Sequence, residues 1–416
     1  MKIFKFGGAS TKDAENVKNV LSVVEQSGET DLVIVVSAMG KMTNALEVVV
    51  HDYFQIKTIE EPLQYVCDFH NDIIKNLFPS THPIFEEVDG IFERLRDFLS
   101  VNKSKNHAFV YDQVVSYGEL IASTIVWHYF KSQGVDAEWL DVRKCIKTDN
   151  NYRDASVNWE VTEARISKLV SKTGVTITQG FLGAEHTNNF TTTLGREGSD
   201  YTAAIFGYCL NAKSVTIWKD VPGVLNADPR YFSKTELLKK ISYKEAIELA
   251  FYGASVIHPK TLQPLQRKEI PLYVKSFLEP HNEGTCVGKG VTLEPEVSCY
   301  ILKKNLTLIS LASLDFSFMM EDHIGDVFKL LHEYKMKVEL IQNSAISFSV
   351  CVSDKFGNLE SFLQKMRENF SVKWNENVTL YTIRHFDPVE VKTFRENKRV
   401  LLKQETQETV QLVVYE

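Results

Sequence analysis

The residues best suited to chemistry lie in a polar turn, residues 191–202, which carries Arg196 and Asp200. The turn leads directly into the apolar run 203–206, which predicts that a helix begins here. The free N–H groups of a helix start attract anions, and a guanidinium matches the shape of a carboxylate or phosphate. Asp200 could then orient a metal ion or a lysine. On this segment alone, an ordinary turn capped by Ser199 is an equally good interpretation.

A second candidate lies at the start of the chain, where residues 2–6 predict a short strand that runs into Gly7 and Gly8. Glycines after a strand let the backbone approach a phosphate closely. Lys5 precedes them, so the pattern is neither the Gly-x-Gly-x-x-Gly of dinucleotide folds nor the Gly-x-x-x-x-Gly-Lys-Ser/Thr of P-loops. Helical spacing over residues 13–24 makes the unit strand, glycine loop, helix.

A third candidate is the loop 220–230, which follows the buried-type strand predicted at residues 214–218. Pro-Gly and then Asp-Pro mark two successive turns, so the loop is long and rigid. In open α/β sheets, ligands bind at the carboxyl ends of the strands. The alternative is a surface excursion without a ligand.

Strands and helices alternate over the first 278 residues. Residues 31–38 form a second predicted strand, and strand, helix and strand in one short stretch imply parallel pairing, with both following loops at the same sheet edge. Residues 53–106 predict a helical insertion. The alternation specifies a three-layer α/β domain with an open, mostly parallel sheet. Further predicted strands cover residues 138–140, 174–181 and 271–274, and helices cover residues 120–130, 199–210, 243–252 and 261–267.

Composition narrows the class of protein. The chain has 416 residues, which exceeds the roughly 250–300 that one core supports, so we expect two or more domains. Its net charge of -7 and scattered basic residues argue against a nucleic-acid partner. The six cysteines are isolated, which favours a reducing cytoplasm over zinc or redox sites. The absence of a leader pattern or an 18-residue apolar run disfavours secretion and a membrane location.

Taken in order, these segments closely resemble the signatures of the aspartate kinases, in the amino acid kinase superfamily. The resemblance is collinear from Met1 to about Phe277. The motifs that carry it are residues 5–10 (Lys-Phe-Gly-Gly-Ala-Ser), 116–120 (Ser-Tyr-Gly-Glu-Leu), 195–200 (Gly-Arg-Glu-Gly-Ser-Asp), 218–223 with 228–230 (Trp-Lys-Asp-Val-Pro-Gly and Asp-Pro-Arg), and 252–259 (Tyr-Gly-Ala-Ser-Val-Ile-His-Pro).

The resemblance implies ATP-dependent phosphorylation of the β-carboxylate of L-aspartate to 4-phospho-L-aspartate, the first step of lysine, threonine and methionine biosynthesis. Because the nucleophile is already an anion, no general base is needed; the site must position two anions and neutralise their charge. We expect ATP and Mg²⁺ as cofactors, with the metal held mainly by phosphate oxygens and water and by no direct protein ligand.

The resemblance also assigns roles to residues. Lys5 stabilises the transferring phosphoryl group, and Asp200 orients Lys5 or Mg²⁺. Arg196 binds a substrate carboxylate while Glu119 pairs with the α-ammonium. For Glu119, the alternative is a glutamate at a helix start that merely complements the helix dipole. The remaining implied contacts are Gly7, Gly8 and Ser10 for phosphate, and Ser37, Thr43 and Ser199 for substrate.

The nucleotide site departs from the family pattern in two places. The family often carries a lysine at the position of Ser255, so either Lys260 replaces it or the nucleotide relies on Arg230. Glu197 stands where the family usually has glycine, and we expect its side chain to point outward. The residues that the resemblance places around the nucleotide are Lys219, Asp220, Leu225, Arg230, Ser255 and Lys260.

Residues 279–300 are rich in turn formers and predict a linker. Residues 301–416 follow the order β, α, β, β, α, β at first and resemble an α+β, ferredoxin-like ACT region that binds a regulatory amino acid. Strands are predicted at 378–383, 399–402 and 409–415, but residues 387–396 allow only a short helix. The second ACT unit is therefore reduced, which puts lysine or threonine feedback in doubt. By resemblance, ACT units pair across a homodimer.

Two other functions compete with aspartate kinase. One is a kinase for acetylglutamate, glutamate or a carbamate, which the Ser-x-Gly-Glu segment and the ACT-like region disfavour. The other is a non-catalytic amino-acid sensor, which the intact Lys5, Arg196 and Asp200 disfavour.

Overall fold

The protein is described by a computed structural model that covers residues 1–254, 256–315, 317–396 and 398–415. The chain forms two compact units. The first comprises Met1–Val224, Leu237–Ala250 and Ser255–Pro295, and the second comprises Leu225–Glu236, Phe251–Ala254 and Glu296–Glu416. Two segments of the predicted catalytic region, 225–236 and 251–254, thus belong to the second unit.

The first unit contains an eight-stranded sheet in the order β3-β5-β2-β1-β8-β10-β11-β9. Neighbouring strands are parallel from β3 to β10, whereas β11 runs antiparallel to β10. A small second sheet has the order β4-β6-β7. The strands are β1 (Lys2–Phe6), β2 (Leu32–Val36), β3 (Ala137–Leu140), β4 (Lys147–Thr148), β5 (Val175–Gln179), β6 (Leu182–Glu185), β7 (Thr191–Thr193), β8 (Val215–Lys219), β9 (Lys240–Ser242), β10 (Leu272–Ser276) and β11 (Thr285–Gly288).

Helices cover the large sheet on both faces. Phe4 and Phe6 of β1 share one core with apolar residues of α1 and α5. Gly207 of α7 packs close to Val215 and Leu265, on the face that also carries Ile3. The predicted three-layer α/β fold is confirmed. The helices are α1 (Ala14–Ser27), α2 (Met42–Phe54), α3 (Glu60–Leu77), α4 (Ile84–Val101), α5 (His107–Ser132), α6 (Trp159–Leu169), α7 (Gly198–Cys209), α8 (Tyr243–Tyr252) and α9 (Pro259–Lys268).

The predicted helical insertion is present as α3 and α4, but α5 differs from its prediction. It begins at His107 rather than near residue 120, because the side chain of Asn106 caps it by accepting a hydrogen bond from the N–H of Phe109, 3.2 Å away. The predicted linker also contains structure, since β11 lies within it and joins the large sheet. Within the described residues, no helix combines the length and apolar character needed to cross a membrane.

The second unit contains a six-stranded sheet in the order β13-β14-β12-β15-β17-β16. Its central strands, β12 and β15, are 15 residues long and pair antiparallel, with a register shift near Leu306. The elements are β12 (Cys299–Ser313), α10 (Glu321–Glu333), β13 (Lys337–Asn343), β14 (Ser347–Ser353), α11 (Leu359–Met366), β15 (Phe370–Arg384), α12 (Pro388–Arg395), β16 (Arg399–Glu405) and β17 (Thr409–Tyr415).

This unit has two halves that share the long strands. Helices α10 and α11 pack on a core that includes Val350 and Phe362, and Val391 of the short helix α12 packs with Ile383 and Leu412. The predicted ACT-like α+β architecture is confirmed. The sequence patterns predicted only residues 306–311 of β12 and 378–383 of β15, since both strands continue through polar residues that break the apolar alternation.

Candidate active site

The carboxyl ends of β5, β2, β1 and β8 lie side by side at one edge of the large sheet. β2 and β8 flank β1 on opposite sides, so the order of the strands reverses at β1, the position where open α/β sheets bind ligands. A cavity of about 500 Å³ lies here. The predicted site residues in its lining are Lys5, Gly8, Ser37, Thr43, Glu119, Arg196, Ser199, Asp200 and Lys219.

The glycine loop passes very close to the loop that follows β2. A Cβ atom at Gly8 would lie 2.6 Å from the carbonyl oxygen of Gly40 and 2.7 Å from that of Ala38, so no larger residue fits. At Gly7, the nearest atom to an added Cβ would be Nζ of Lys5, 3.2 Å away. Ser10 lies in the following turn with its hydroxyl oxygen buried, and neither Gly7 nor Ser10 lines the cavity.

Asp200 is buried between two lysines. Its Oδ1 lies 2.7 Å from Nζ of Lys5, and its Oδ2 lies 3.4 Å from Nζ of Lys219. Burial alone would raise the pKa of Asp200, but the two positive charges outweigh it and hold the pKa below its ordinary value. We call these three residues the lysine–aspartate cluster. The predicted proximity of Asp200 and Lys5 is therefore present, that of Lys219 was not predicted, and the assigned roles remain predictions.

Glu119 lies in the middle of α5, so the alternative that it complements the dipole of a helix start is wrong. Its side chain is buried, and its Oε1 accepts a hydrogen bond of 3.4 Å from the N–H of Ala38. Oε2 is buried without a hydrogen-bond partner in the part of the chain that the structure describes. Burial raises the pKa of Glu119 to about 8, against the opposing influence of that N–H and of Lys5.

The first turn of α7 contributes Gly198, Ser199 and Asp200 to the lining. This turn packs tightly on the end of β5, since a Cβ at Gly180 would lie 2.5 Å from that of Ser199. Ser199 lies inside the helix and is not its cap. Arg196 precedes the helix, is exposed, and has no carboxylate within ion-pair distance among the described residues.

Glu197 lines the cavity, so the expectation that its side chain points outward is wrong. It is half-buried, and its Oε2 is buried without a hydrogen-bond partner in the described chain. Its backbone is left-handed, with φ of 54°. Glycine adopts this conformation at little cost, which explains why a glycine suits the position. The inward direction follows from the backbone geometry of the turn, which the sequence pattern did not reveal.

The predicted nucleotide residues are dispersed. Lys219 lines the cavity, whereas Asp220 is exposed and outside the lining. Leu225 and Arg230 belong to the second unit, where the exposed Arg230 pairs with Asp228 at 2.6 Å. Ser255 lies outside the described residues. Lys260 is also outside the lining.

Lys260 is engaged elsewhere. Its Nζ lies 2.8 Å from Oδ1 of Asp154 and donates a 3.0 Å hydrogen bond to the carbonyl of Leu194. The ammonium also lies over the ring of Tyr201, 5.2 Å from its centroid. These contacts use the charge of Lys260 to hold two turns together. Its predicted role as a substitute for the family lysine stays untested.

Sequence reasoning missed a group of residues next to the cavity. Tyr111, Arg153 and Phe181 line it. Asp112 lies behind them, fully buried, and accepts hydrogen bonds from the backbone N–H groups of Arg153 and Thr193. No local motif marks these residues; a buried aspartate in an otherwise apolar helical run was the one available signal.

Comparison with known proteins places this site in a family. Residues 1–276 match the sequence model of the amino acid kinase family. The lysine-sensitive aspartokinase 3 of Escherichia coli is 32% identical over 353 residues, which cover 84% of this chain and 77% of that protein. The chloroplastic aspartokinase 1 of Arabidopsis thaliana is 30% identical over 364 residues, but these cover 62% of that longer protein and 84% of this chain.

Solved structures agree with the sequence comparison. Aspartokinase III of E. coli, in complex with lysine and aspartate in the T-state, superposes with a TM-score of 0.82 at 27% identity and covers 100% of this chain and 96% of its own. The same enzyme with aspartate and ADP in the R-state gives a TM-score of 0.79, with the same identity and coverage. The chain belongs to the amino acid kinase family and, within it, to the aspartokinases.

Proposed function

We propose that this protein transfers the γ-phosphoryl group of ATP to the β-carboxylate of L-aspartate, giving 4-phospho-L-aspartate and ADP. The observation that carries the proposal is the charge arrangement of the cavity. A buried carboxylate with a free oxygen, Glu119, and an unpaired guanidinium, Arg196, line the same cavity as the lysine–aspartate cluster. An amino acid with an ammonium and a carboxylate satisfies both free groups.

In this proposal, the lysine–aspartate cluster is the phosphoryl-transfer centre. Asp200 fixes the ammonium of Lys5, which neutralises charge on the phosphoryl oxygens as the bond to ADP breaks and the bond to the aspartate oxygen forms. Lys219 adds a second positive charge from the neighbouring strand. The backbone N–H groups of Gly7 and Gly8, with the hydroxyl of Ser10, complete the phosphate contacts.

Aspartate is held by its α-ammonium and α-carboxylate groups, at the end opposite to the reacting β-carboxylate. Glu119 accepts hydrogen bonds from the α-ammonium and Arg196 binds the α-carboxylate, so the β-carboxylate is left free to attack. The hydroxyl groups of Ser37, Thr43 and Ser199 supply further donors around the substrate. Because burial raises the pKa of Glu119 to about 8, pairing with the ammonium must drive its ionisation.

For the nucleotide, the resemblance alone supports the contacts Lys219, Asp220, Leu225 and Arg230, with Lys260 and Ser255 as further candidates. Mg²⁺ accompanies ATP and neutralises its phosphates when bound. Among the described residues, no group of three or more His, Cys, Asp or Glu side chains could hold a metal ion, and both oxygens of Asp200 face lysines. As the resemblance implies, we expect phosphate oxygens and water to be the main ligands of Mg²⁺.

The proposal is tested by measuring ADP release with ATP, Mg²⁺ and each of L-aspartate, L-glutamate and N-acetyl-L-glutamate. Hydroxylamine in the assay traps an acyl phosphate as its hydroxamate and identifies the product. Turnover with aspartate alone is the expected result. Preference for a glutamate derivative would support the other amino acid kinases, and absence of turnover with all three would support a sensor.

We further propose a cytoplasmic homodimer that responds to an amino acid at the ACT-like unit, at the start of lysine, threonine and methionine biosynthesis. The isolated spacing of the six cysteines in the sequence supports a reducing compartment. Titration of the assay with lysine, threonine and methionine separately identifies the effector. The shortness of α12 favours a weak response to lysine and threonine.

A further inference from the structure

Arg153 is held in a defined position beside the cavity. Its backbone is left-handed, with φ of 72°, which costs a non-glycine residue free energy. Its N–H lies 3.1 Å from each carboxylate oxygen of Asp112. The same carboxylate accepts 2.8 Å hydrogen bonds from the N–H and the hydroxyl of Thr193. A buried group thus fixes the turn in a conformation that the residue itself disfavours.

The side chain of Arg153 is also oriented. Its guanidinium carbon lies 4.1 Å from the ring centroid of Tyr111, whose hydroxyl donates a 2.7 Å hydrogen bond to Glu47. Stacking on an aromatic face leaves the N–H edges of a guanidinium free for a planar anion. Within the described ranges, no carboxylate lies within ion-pair distance of Arg153. Both Arg153 and Tyr111 line the cavity.

The turn of Arg153 lies directly against the turn that carries Arg196. A Cβ at Gly195 would be 3.3 Å from the carbonyl oxygen of Arg153, and the N–H of Ala155 donates a 3.0 Å hydrogen bond to the carbonyl of Thr193. Tyr111 precedes Glu119 by eight residues on α5, about 12 Å along the helix. Arg153, which stacks on Tyr111, therefore lies beside the turn of Arg196 and not beside Glu119.

We propose that Arg153 is a second substrate-binding arginine, which together with Arg196 holds the α-carboxylate of the amino acid and selects substrates that carry this group. The inference rests on the proposed function. A carboxylate has two oxygens, each able to accept more than one hydrogen bond, so two guanidinium groups can share it. The two arginines place two positive charges at the position of the α-carboxylate. A substrate without this group would leave both charges unneutralised.

Three variants of the full-length enzyme test this assignment: Arg153→Gly, Arg153→Lys and, as a control, Arg165→Ala on the exposed face of α6. Glycine removes the guanidinium but suits the left-handed backbone, so folding is preserved. The kinetic constants are measured for L-aspartate, for ATP and for L-isoasparagine, which has an α-carboxamide and a free β-carboxylate.

We expect Arg153→Gly to raise the KM for aspartate about 10- to 100-fold, as for loss of a charged hydrogen bond, with the KM for ATP and the melting temperature close to those of the parent. The preference for aspartate over isoasparagine should fall by a similar factor, Arg153→Lys should be intermediate, and Arg165→Ala should match the parent. If a folded Arg153→Gly protein kept both its KM for aspartate and its preference for aspartate, the role of Arg153 would be overturned. The proposed function would stand. Absence of aspartate turnover in the parent would overturn the proposed function and this inference together.

Discussion

Two sets of charged groups line the same cavity and differ in how their charges are compensated. In the lysine–aspartate cluster, Lys5 and Asp200 are 8% and 3% exposed and lie in contact as an ion pair. In the second set, which we call the unpaired groups, Glu119 is buried with one free oxygen, and Arg153 and Arg196 face the cavity without a carboxylate partner among the described residues.

The difference separates two tasks. A phosphoryl-transfer centre must be organised before the substrates arrive, since reorganisation of charge during the reaction would add to the barrier. The internal ion pairs provide that order. A recognition site gains selectivity when its charges are left for the ligand to satisfy, because a wrong ligand then leaves them unpaired. The unpaired groups fit this second description.

The largest effect is expected from breaking the cluster. Lys5→Ala removes the charge that neutralises the transferring phosphoryl group, so kcat should fall about 100- to 1000-fold while nucleotide binding is mostly retained. Steady-state kinetics and ATP binding by calorimetry measure the two quantities. Lys18→Ala, on the exposed face of α1, is the matched control. A near-normal kcat would remove Lys5 from its assigned role.

Removal of one of the unpaired groups should weaken the binding of aspartate, whereas disruption of the cluster should lower kcat. Arg196→Ala removes the main partner of the α-carboxylate, so the KM for aspartate should rise about 30- to 100-fold with a smaller change in kcat. The KM for ATP serves as the internal control, because the cluster is left intact. If the KM for aspartate did not change, the substrate carboxylate would have to bind elsewhere.

The pH dependence of binding should single out Glu119. Burial raises its pKa to about 8, so most of the carboxyl is protonated at pH 7. Only the ionised form attracts an ammonium, and the KM for aspartate should therefore fall as the pH rises toward 8, by up to about tenfold per unit. Glu119→Gln should raise the KM and flatten this profile. A flat profile in the parent would show that Glu119 does not pair with the substrate.

Local patterns marked Lys5 and Asp200 separately, and the resemblance paired them. Lys5 lies near the end of a regular strand, and Asp200 lies at the start of an apolar helix. The three-layer fold was predictable for the same reason, because each element carries its own apolar periodicity. The motif identified Glu119, but its buried position in the middle of a helix was not predicted. The helix is capped at Asn106 and begins well before the predicted start.

The rest of the site depends on contacts between distant parts of the chain. Asp112 fixes turns that lie 41 and 81 residues away in sequence, at Arg153 and Thr193. The ammonium of Lys260 pairs with the carboxylate of Asp154, which lies 106 residues earlier in the sequence. Periodicity and short motifs carry no information about such pairings. The direction of Glu197 was mispredicted because a short motif does not determine the backbone conformation of a turn, which is left-handed at this residue.

The smallest effect concerns Glu197, a carboxylate that lines the cavity and has a left-handed backbone. Glu197→Gly relieves a left-handed conformation that costs about 1–2 kcal/mol, while the greater freedom of glycine in the unfolded chain offsets about 0.4–1 kcal/mol. We expect a net stabilisation of about 1 kcal/mol, seen by calorimetry as a rise of about 2–4 °C in the melting of the first unit.

Glu269→Gly provides the matched control, because Glu269 is also left-handed, with φ of 58°, but is exposed and ends α9 far from the cavity lining. Its pair with Lys289 lies at the surface and contributes little. Glu269→Gly should therefore report backbone strain alone, whereas Glu197→Gly also removes a buried oxygen without a partner. A larger gain for Glu197→Gly would add Glu197 to the unpaired groups, and an equal gain would show that its buried carboxylate oxygen does not lower the stability of the protein.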